Sequence, residues 1–430
     1  APPRGGCENA APVLDVPAML REHLAALPRG RTTEFFVPGY AAPGLRTARI
    51  ADKGGIRGLV TDAAIPEPGQ LLVVSKALAL VQPQSSGAVK VNTSSRRVES
   101  ADLIALQQKV LELAVSGGRA AGVARFLTRE DVDVDLAAEA PLAGVAPEEG
   151  AGDMVDAGAL QRAVATCVFG LRDVLAAARG HRRSADPPTA LFPVPSLFNH
   201  SCSPNCTRIF LGDVMLVTNL VPVAAGEELT LQYADCVDLH YTCPAEEGAP
   251  GASAAATLDG AFENWGFTCG CPLCVAHRAD PAAFARAREL VTRAKDGAVR
   301  GAALRNMVEE MRGVAPCVAV GGAAVRPHLA MMLHMQAHWG DDSPARKLEL
   351  AREALEQCPL DTALGHTLLP GAPLLAAQYR GALQRAGRSK AEQHEAAELL
   401  DRVKELRGVP GADELFDAMW GGRSGGGGGG

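Results

Sequence analysis

Phe198-Asn199-His200-Ser201-Cys202-Ser203-Pro204-Asn205-Cys206 is the stretch that decides the fold of this chain. It places an amide, an imidazole, a hydroxyl and a thiol close to a proline turn, and each of these groups can hydrogen-bond a polar ligand or buried backbone. A buried turn whose polar groups are all hydrogen-bonded within the protein has the same composition. For His200 alone this structural interpretation is favoured over ligand contact. The blocks that follow along the chain favour ligand contact.

Three cysteines lie in one tight loop further on, at Cys269, Cys271 and Cys274. Structural zinc takes four tetrahedral ligands, so the spacing predicts a zinc site whose remaining ligand comes from elsewhere in the chain. Cys271 and Cys274 also have the spacing of a redox pair, but no βαβ pattern surrounds them. We expect the other cysteines to be buried as small apolar side chains; they are Cys7, Cys167, Cys206, Cys236, Cys243, Cys317 and Cys358.

Two further blocks carry chemistry when they are taken together with the first two. The stretch Lys53 to Val60 reads KGGIRGLV, in which glycines let the backbone approach a ligand closely, although an ordinary turn has the same pattern. The stretch Gly226 to Tyr233 reads GEELTLQY and ends on one of only four tyrosines. Without its context, Tyr233 is a structural tyrosine at the end of a strand.

In this order the four blocks resemble the SET-domain lysine methyltransferases, and within them the SMYD-like and SET–TPR branch. The resemblance covers about residues 47–82 and 188–275. It implies an α+β fold: a SET-domain β-fold of small sheets with a pseudoknot, a helical insert, a zinc-binding post-SET loop and an α-helical C-terminal domain of TPR-like hairpins. The implied activity is transfer of a methyl group from S-adenosylmethionine to the neutral ε-amine of a lysine.

The resemblance also implies a role for individual residues. Tyr233 is the expected catalytic residue, Trp265 lines the lysine channel, and Cys202 is the fourth zinc ligand beside Cys269, Cys271 and Cys274. Contacts to S-adenosylmethionine are expected from Gly55, Ile56, Arg57, Gly58, Asn199, His200 and Phe267. The expected substrate is a lysine-containing protein, either a histone or a non-histone protein. A non-catalytic SET protein that binds partners through its C-terminal helices is the alternative.

Residues 83–187 contain only one cysteine, so the MYND zinc finger that SMYD proteins carry in this position is not expected. The chain is divided by pattern and composition into an N-terminal helical or irregular segment, two SET parts separated by a helical insert, a flexible loop, a post-SET loop, a helical domain and a glycine-rich tail. Their boundaries are 1–46, 47–82, 83–187, 188–243, 244–261, 262–275, 276–420 and 421–430.

Apolar periodicity and turn residues predict the individual elements. Short strands are expected within 47–80 and 207–231, with a hairpin turn at Gly212-Asp213. From Cys274 onward only helices are expected. The predicted helices are 13–27, 101–116, 157–179, 281–297, 301–313, 326–339, 344–357, 371–387, 390–407 and 412–420.

Composition and charge restrict the class of protein. Of the 430 residues 47% are hydrophobic and 21% are charged, which excludes global disorder. A formal net charge of −7 argues against a general nucleic-acid surface. No membrane span or secretory pattern is visible, so we expect a location in the nucleus, the cytoplasm or both. We also expect a monomer.

Acidic residues are concentrated in one region of the chain. Residues 191–275 hold nine acidic side chains against the single Arg208, a formal charge of −8. This concentration around the expected active site predicts attraction of a basic polypeptide. Solvated loop charges explain it equally well.

Overall fold

A computed structural model describes residues 39–53, 55–82, 89–92, 97–115, 127, 157–171, 188–233, 239–241, 262, 267–295 and 299–359. Its strands are β1 (Tyr40–Ala41), β2 (Leu45–Ile50), β3 (Ile56–Thr61), β4 (Leu71–Lys76), β5 (Ala79–Val81), β6 (Val89–Asn92), β7 (Arg97–Ser100), β8 (Val168–Gly170), β9 (Thr189–Leu191), β10 (Asn199–His200), β11 (Cys206–Leu211), β12 (Val214–Asn219), β13 (Glu228–Leu231), β14 (Val318–Val320) and β15 (Ala323–Val325). Its α-helices are α1 (Ala101–Val115), α2 (Ala157–Cys167), α3 (Pro272–Ala279), α4 (Pro281–Lys295), α5 (Gly301–Val314), α6 (Pro327–Trp339) and α7 (Pro344–Gln357). Within these described ranges no helix is both long and apolar enough to span a bilayer.

Three small sheets build the β region. The first has the strand order β1-β4-β12-β11, the second β10-β13-β3-β2 and the third β5-β9-β8. The predicted hairpin between β11 and β12 is confirmed, and Gly212 turns it with a φ of 58° that favours glycine. The strands expected within 47–80 and 207–231 are confirmed as well.

One short parallel pairing determines where the site forms. Asn199 pairs with Thr230 and His200 with Leu231, and the Ser201 N–H donates to the Leu231 carbonyl at 3.1 Å. The pairing therefore places the first block of sequence beside the strand that ends just before Tyr233. Backbone hydrogen bonds thus align two segments about thirty residues apart.

The buried apolar side chains form two separate clusters. The β cluster comprises the inward faces of the sheets with α1 and α2, and it includes Phe198 and Leu231. The helical cluster comprises α3 to α7 and includes Phe262, Cys269 and Cys274. Cys202 lies two residues after the end of β10 but is buried in the helical cluster. The first block of sequence thus lies where the two clusters meet.

One predicted helix is too long, and the insert holds strands beside its predicted helices. The helix expected over 157–179 ends at Cys167, because Val168–Gly170 form a strand that pairs with Thr189–Leu191. The insert at 83–187 is also not purely helical, since β6 and β7 form an antiparallel pair within it. In Val168–Gly170, pairing with a strand about twenty residues away has overridden the local helical pattern.

The region after Cys274 is likewise not helical throughout. Val318–Val320 and Ala323–Val325 form a hairpin, and its turn residues Gly321 and Gly322 have φ values of 57° and 84°. Two successive positive φ angles define the type I′ turn that matches strand twist. The four helices predicted between 281 and 357 are confirmed as α4 to α7. Those predicted at 13–27, 371–387, 390–407 and 412–420 lie outside the described residues.

Candidate active site and metal centre

Four cysteines predicted to bind zinc come together in space. Their Sγ atoms, from Cys202, Cys269, Cys271 and Cys274, all lie within 4.8 Å of one another. Cys202 Sγ is 3.5 Å from Cys274 Sγ and 3.9 Å from Cys269 Sγ. A tetrahedron with zinc–sulfur bonds of about 2.3 Å has edges of about 3.8 Å, so the cluster has the size that zinc requires. The cysteines fit the metal in number, chemistry and spacing.

The local fold explains how a single loop presents three of these thiols. Cys271 has extended backbone angles and caps α3, and Pro272 follows at the first helical position, where a missing N–H costs nothing. Cys274 is then carried on the first turn of the helix. The Arg278 guanidinium donates to the Cys269 carbonyl at 2.8 Å and ties the loop to the helix that it precedes.

Hydrogen bonds among the thiols change their acidity. Those from Cys202 lower the pKa of Cys269 most strongly, and those from Cys271 and Cys274 add to the effect. The hydrogen bond from Cys202 lowers the pKa of Cys274, but hydrogen bonds with Cys269 and Cys271, together with burial, outweigh it and leave that pKa raised. A cluster that stabilises thiolate character at one sulfur is suited to binding a cation.

Histidines that the sequence did not point to adjoin the same cluster. His240 Nε2 lies 3.5 Å from Cys274 Sγ, and His240 Nδ1 lies 3.2 Å from His277 Nδ1. The His328 ring nitrogen Nε2 donates to the His240 carbonyl at 2.9 Å. Burial lowers the pKa of His240 to about 2 and that of His328 to about 3, so both rings are neutral at pH 7. These histidines lie far apart in the sequence, so no local motif reveals the group.

Tyr233 lies two residues after the end of β13 and is held at both its backbone and its side chain. Its N–H donates to His200 Nδ1 at 3.0 Å, and its hydroxyl donates to the Phe198 carbonyl at 2.5 Å. Burial raises the pKa of the Tyr233 phenol above its usual range, with smaller contributions from Cys167 and Glu228. The hydroxyl is therefore protonated at neutral pH.

The glycine-rich block meets Asn199. There is no room for a side chain at Gly58, because a Cβ there would lie 2.6 Å from Asn199 Nδ2. Gly55 turns the chain with a φ of 77° and faces open space. Ile56 between them is 41% exposed, one of three large apolar side chains exposed to that degree in the described ranges. Arg57 contributes its carbonyl to Asn199, while its guanidinium donates to the Leu127 carbonyl.

Asn199 is fixed by a polar network that sequence reasoning missed. Its amide nitrogen donates to the Arg57 carbonyl at 3.1 Å and to Glu228 Oε1 at 2.8 Å. Glu228 in turn forms an ion pair with Lys53 at 2.5 Å. Both N–H groups of the amide are thereby used, and its Oδ1 is the remaining acceptor. The acidic pair after Gly226 was the available signal, but sequence reasoning assigned it to surface charge.

Three of the nine acidic residues counted around the site have internal partners. Asp213 pairs with Lys76 at 3.1 Å, and Glu227 accepts from Asn205 at 3.1 Å, while Glu228 belongs to the network with Lys53. Each of these carboxylates thus has a structural task. The other six lie outside the described residues, so attraction of a basic substrate stays a prediction.

Arg208 is a further residue to which the sequence assigned no role at the site. Its guanidinium donates to the Gln232 carbonyl and lies 5.4 Å from the Phe169 ring centre and 6.0 Å from that of Phe210. Burial lowers the pKa of Arg208 to about 10, and its interaction with Tyr233 raises it. At neutral pH a fixed positive charge therefore lies close to the expected catalytic residue.

An aromatic group connects the cysteine loop to the β region. The Phe262 and Phe267 rings are stacked with centres 5.1 Å apart, and the Phe262 ring lies 4.5 Å from the His200 ring. Phe267 meets Tyr233 edge-on at 6.4 Å. The predicted contact residue Phe267 is thus placed beside His200 and Tyr233. Trp265 lies outside the described residues.

The SET domain family profile matches residues 57–234 of this chain. The chain contains a SET domain. The matched span runs from the glycine-rich block to the residue after Tyr233, and the cysteine loop and the helices α3 to α7 follow it. The resemblance and the SET fold inferred from the four blocks are therefore confirmed.

Curated relatives of this chain include SMYD proteins. The chain is 49% identical over 45 residues to mouse "Histone-lysine N-methyltransferase SMYD3", which is 10% of each chain. It is 33% identical over 95 residues to chicken "Protein-lysine N-trimethyltransferase SMYD5", or 22% of this chain and 20% of the relative. It is 32% identical over 126 residues to Xenopus laevis "N-lysine methyltransferase SMYD2-A", or 29% of this chain and 26% of the relative. The chain thus spans at most about a quarter of the length of these relatives.

A solved structure described as the SET domain of LSMT bound to lysine and AdoHcy aligns with 94% of this chain and 92% of its own. The sequence identity is 13% and the TM-score is 0.25. A superposition this loose carries no argument about the SET domain described above.

Proposed function

We propose that this chain is an S-adenosylmethionine-dependent protein-lysine N-methyltransferase that acts on a histone or another basic protein, in the nucleus, the cytoplasm or both. The observation that carries the proposal is the convergence at Asn199 and His200. There the glycine-rich block, Tyr233 and the cysteine loop meet, although they are separated by up to about two hundred residues of sequence.

The groups around Asn199 suit the polar end of S-adenosylmethionine. Asn199 Oδ1 is an acceptor in a side chain whose amide nitrogen is already held, so it is preorganised to accept from an ammonium group. Ile56 offers exposed apolar surface beside it, and Phe267 offers an aromatic face for a purine. When bound, S-adenosylmethionine would supply a methyl group activated by the positive sulfonium.

Zinc, the metal that the four cysteines fit, would have a structural task. Cys202, Cys269, Cys271 and Cys274 would hold it with no ligand position left for substrate. The metal would thereby attach the cysteine loop, with Phe267 at its start, to the end of β10. That attachment keeps the aromatic face of Phe267 next to His200 and Tyr233.

The substrate lysine must be neutral before its amine can attack. A free lysine has a pKa near 10.4, so most of it is protonated at pH 7. The Arg208 guanidinium near Tyr233 disfavours a second positive charge, and burial of the lysine would act in the same direction. The Tyr233 hydroxyl, fixed by Phe198, is available through its oxygen to orient the amine. Alignment of amine and methyl group then removes much of the entropic barrier.

Two measurements on the purified chain test the proposal. Calorimetry with S-adenosylmethionine separates an enzyme from a SET scaffold without cofactor, since we expect saturable binding with a stoichiometry of one. Incubation of a cell extract with labelled S-adenosylmethionine, followed by mass spectrometry, identifies the modified residues. We expect methyl-lysine in basic proteins. Saturable binding without any methylated protein would favour the scaffold.

A further inference from the structure

The His200 ring lies between the cysteine cluster and Tyr233 and is 3% exposed. On one side, Nδ1 accepts the Tyr233 backbone N–H at 3.0 Å. On the other side, Nε2 lies 3.2 Å from Cys202 Sγ. One side chain thus contacts an expected metal ligand and the expected catalytic residue through opposite ring atoms.

The partners of His200 determine its tautomer. A backbone N–H can only donate, so Nδ1 must carry a lone pair, and the single ring proton of the neutral imidazole is then on Nε2. That proton points at Cys202 Sγ. A thiolate that binds a metal can only accept, so the Nε2–H group and Cys202 are complementary in the metal-bound protein.

The orientation of the ring is fixed by its surroundings as well. The Phe262 ring centre lies 4.5 Å from that of His200, and the Phe267 ring centre lies 5.8 Å away. Backbone pairing of His200 with Leu231 anchors the residue itself. A shift of Cys202 would therefore be passed to the imidazole rather than absorbed by free rotation.

We propose that His200 is a positioning residue that couples the metal-bound Cys202 to the backbone of Tyr233. The proposal rests on the proposed function. Tyr233 lies two residues beyond Leu231, the last residue of β13, where the ladder hydrogen bonds have ended. Through His200 the metal cluster supplies a hydrogen bond that holds the Tyr233 backbone at the end of that ladder. Occupation of the cluster would thereby fix the tyrosine hydroxyl as well as the loop that carries Phe267.

Two amide substitutions separate the two ends of this connection. In His200→Asn, the amide oxygen can take the place of Nδ1 and accept from Tyr233, while the contact to Cys202 is lost. In His200→Gln, the amide nitrogen can reach the place of Nε2 and donate to Cys202, while the contact to Tyr233 is lost. A merely structural imidazole would not divide its effects in this way.

Cobalt-loaded protein provides a measurement that does not depend on activity. We expect His200→Asn to shift the thiolate-to-cobalt charge-transfer band and to weaken metal binding by about 10- to 100-fold, the usual effect of losing an outer hydrogen bond. His200→Gln should keep the band and the metal affinity of the wild type. An unchanged band in His200→Asn would overturn the contact to Cys202.

Kinetics of the fully metal-loaded variants test the other end. We expect kcat for labelled methyl transfer to fall about tenfold or more in both variants, with the KM for S-adenosylmethionine changed less than threefold. Contact between the His200 side chain and the cofactor would instead raise this KM at constant kcat, and that result would overturn the proposal. So would a wild-type kcat in His200→Gln.

His240→Asn is the matched control, because the His240 ring lies 3.5 Å from Cys274 Sγ in the same cluster and has no hydrogen bond to Tyr233 among the described residues. It should shift the cobalt band as His200→Asn does but lower kcat less. An equal fall in kcat would show that disturbing any thiolate of the cluster lowers kcat, and that result would contradict a specific role of His200. If the wild type transfers no methyl group at all, the proposed function fails, while the cobalt spectra still decide the hydrogen bond.

Discussion

The β region and the cysteine loop position their functional residues by different physical means. In the β region, Asn199 and the residues before Tyr233 are aligned by backbone pairing over a closed apolar cluster. In the cysteine loop, Phe267 stands next to four buried thiols that are within 4.8 Å of one another. Buried polar groups cost free energy unless they are paired or bound to a metal. The first arrangement includes no group that needs a metal, and the second calls for zinc.

The difference shows why the active site depends on both regions. Cys202 belongs to the first block of sequence, yet it is packed in the helical cluster with Cys269 and Cys274. It is the point at which a bound metal would join the two clusters. Changes to the metal should therefore disturb one side of the site and spare the sheets.

Cys271→Ser should have the largest effect. With one thiolate fewer, we expect loss of zinc from the purified protein and loss of detectable methyl transfer, since a structural zinc site contributes directly to folding. Hydrogen exchange should rise in residues 267–279 and remain slow in β11 and β12. Metal analysis and exchange mass spectrometry measure the two effects.

Cys317→Ser is its control, because Cys317 is exposed and lies far along the chain from the cluster. It should retain zinc and activity. The exposure of Cys317 also corrects the expectation that all remaining cysteines are buried; among those described, Cys167 is partly buried, and Cys206 and Cys358 are buried. Equal exchange in the loop and the sheets of Cys271→Ser would contradict the separation of the two regions.

Gly58→Ala should disturb the β side of the site. The new methyl group would lie 2.6 Å from Asn199 Nδ2, 2.7 Å from Ile50 Cγ1 and 2.8 Å from Glu228 Oε1. Overpacking of this kind costs about 1–3 kcal/mol, and here it must displace the amide that we expect to meet the cofactor. Calorimetry should show S-adenosylmethionine binding weakened at least about tenfold, with zinc content unchanged.

Gly313→Ala serves as the comparison, since nothing lies within 4 Å of a Cβ at that position. It should bind S-adenosylmethionine as the wild type does. Wild-type affinity in Gly58→Ala would instead place the cofactor away from Asn199.

Arg208→Met should give the smallest of these effects and should appear in the pH dependence. The guanidinium disfavours the lysine ammonium, so its removal raises the pKa of the bound lysine. The acidic limb of kcat/KM should then move to higher pH by about one unit, because a higher pH is needed to form the neutral amine. The Glu228 carboxylate, which also interacts with Tyr233, would raise the pKa of the bound lysine instead of lowering it.

Arg286→Met is a control on a distant helix, where the exposed guanidinium pairs with Glu289 and Glu310. Its pH profile should superpose on that of the wild type. A profile of Arg208→Met that does not move would remove Arg208 from the mechanism.

The sequence predicted those parts of the structure that rest on local chemistry. Turn residues identified the β11–β12 hairpin, and cysteine spacing identified the loop at Cys269. Local pattern could not show that Val168–Gly170 leave the helix, because their partner strand begins about twenty residues later. The Gly321-Gly322 turn carried a visible hairpin signal that the helical texture around it concealed.

The site was predictable to a similar extent. Residues in contiguous motifs, such as Asn199 and Tyr233, could be named in advance. Lys53, Arg208 and His240 could not, because each acts through a single contact that only the folded chain creates. The cysteine cluster was identified through its resemblance to a known family, since spacing alone left its fourth ligand open.

Methyl transfer by zinc-loaded wild type and Tyr233→Phe, measured side by side, is the most direct test of the whole account. The substitution removes one hydroxyl that donates to Phe198 and leaves the buried ring in place. We predict that both proteins bind S-adenosylmethionine with similar affinity in calorimetry, while transfer of labelled methyl to lysine falls about 100-fold or more in the variant. Equal rates of transfer in the two proteins would contradict the assignment of Tyr233 and the site built around it.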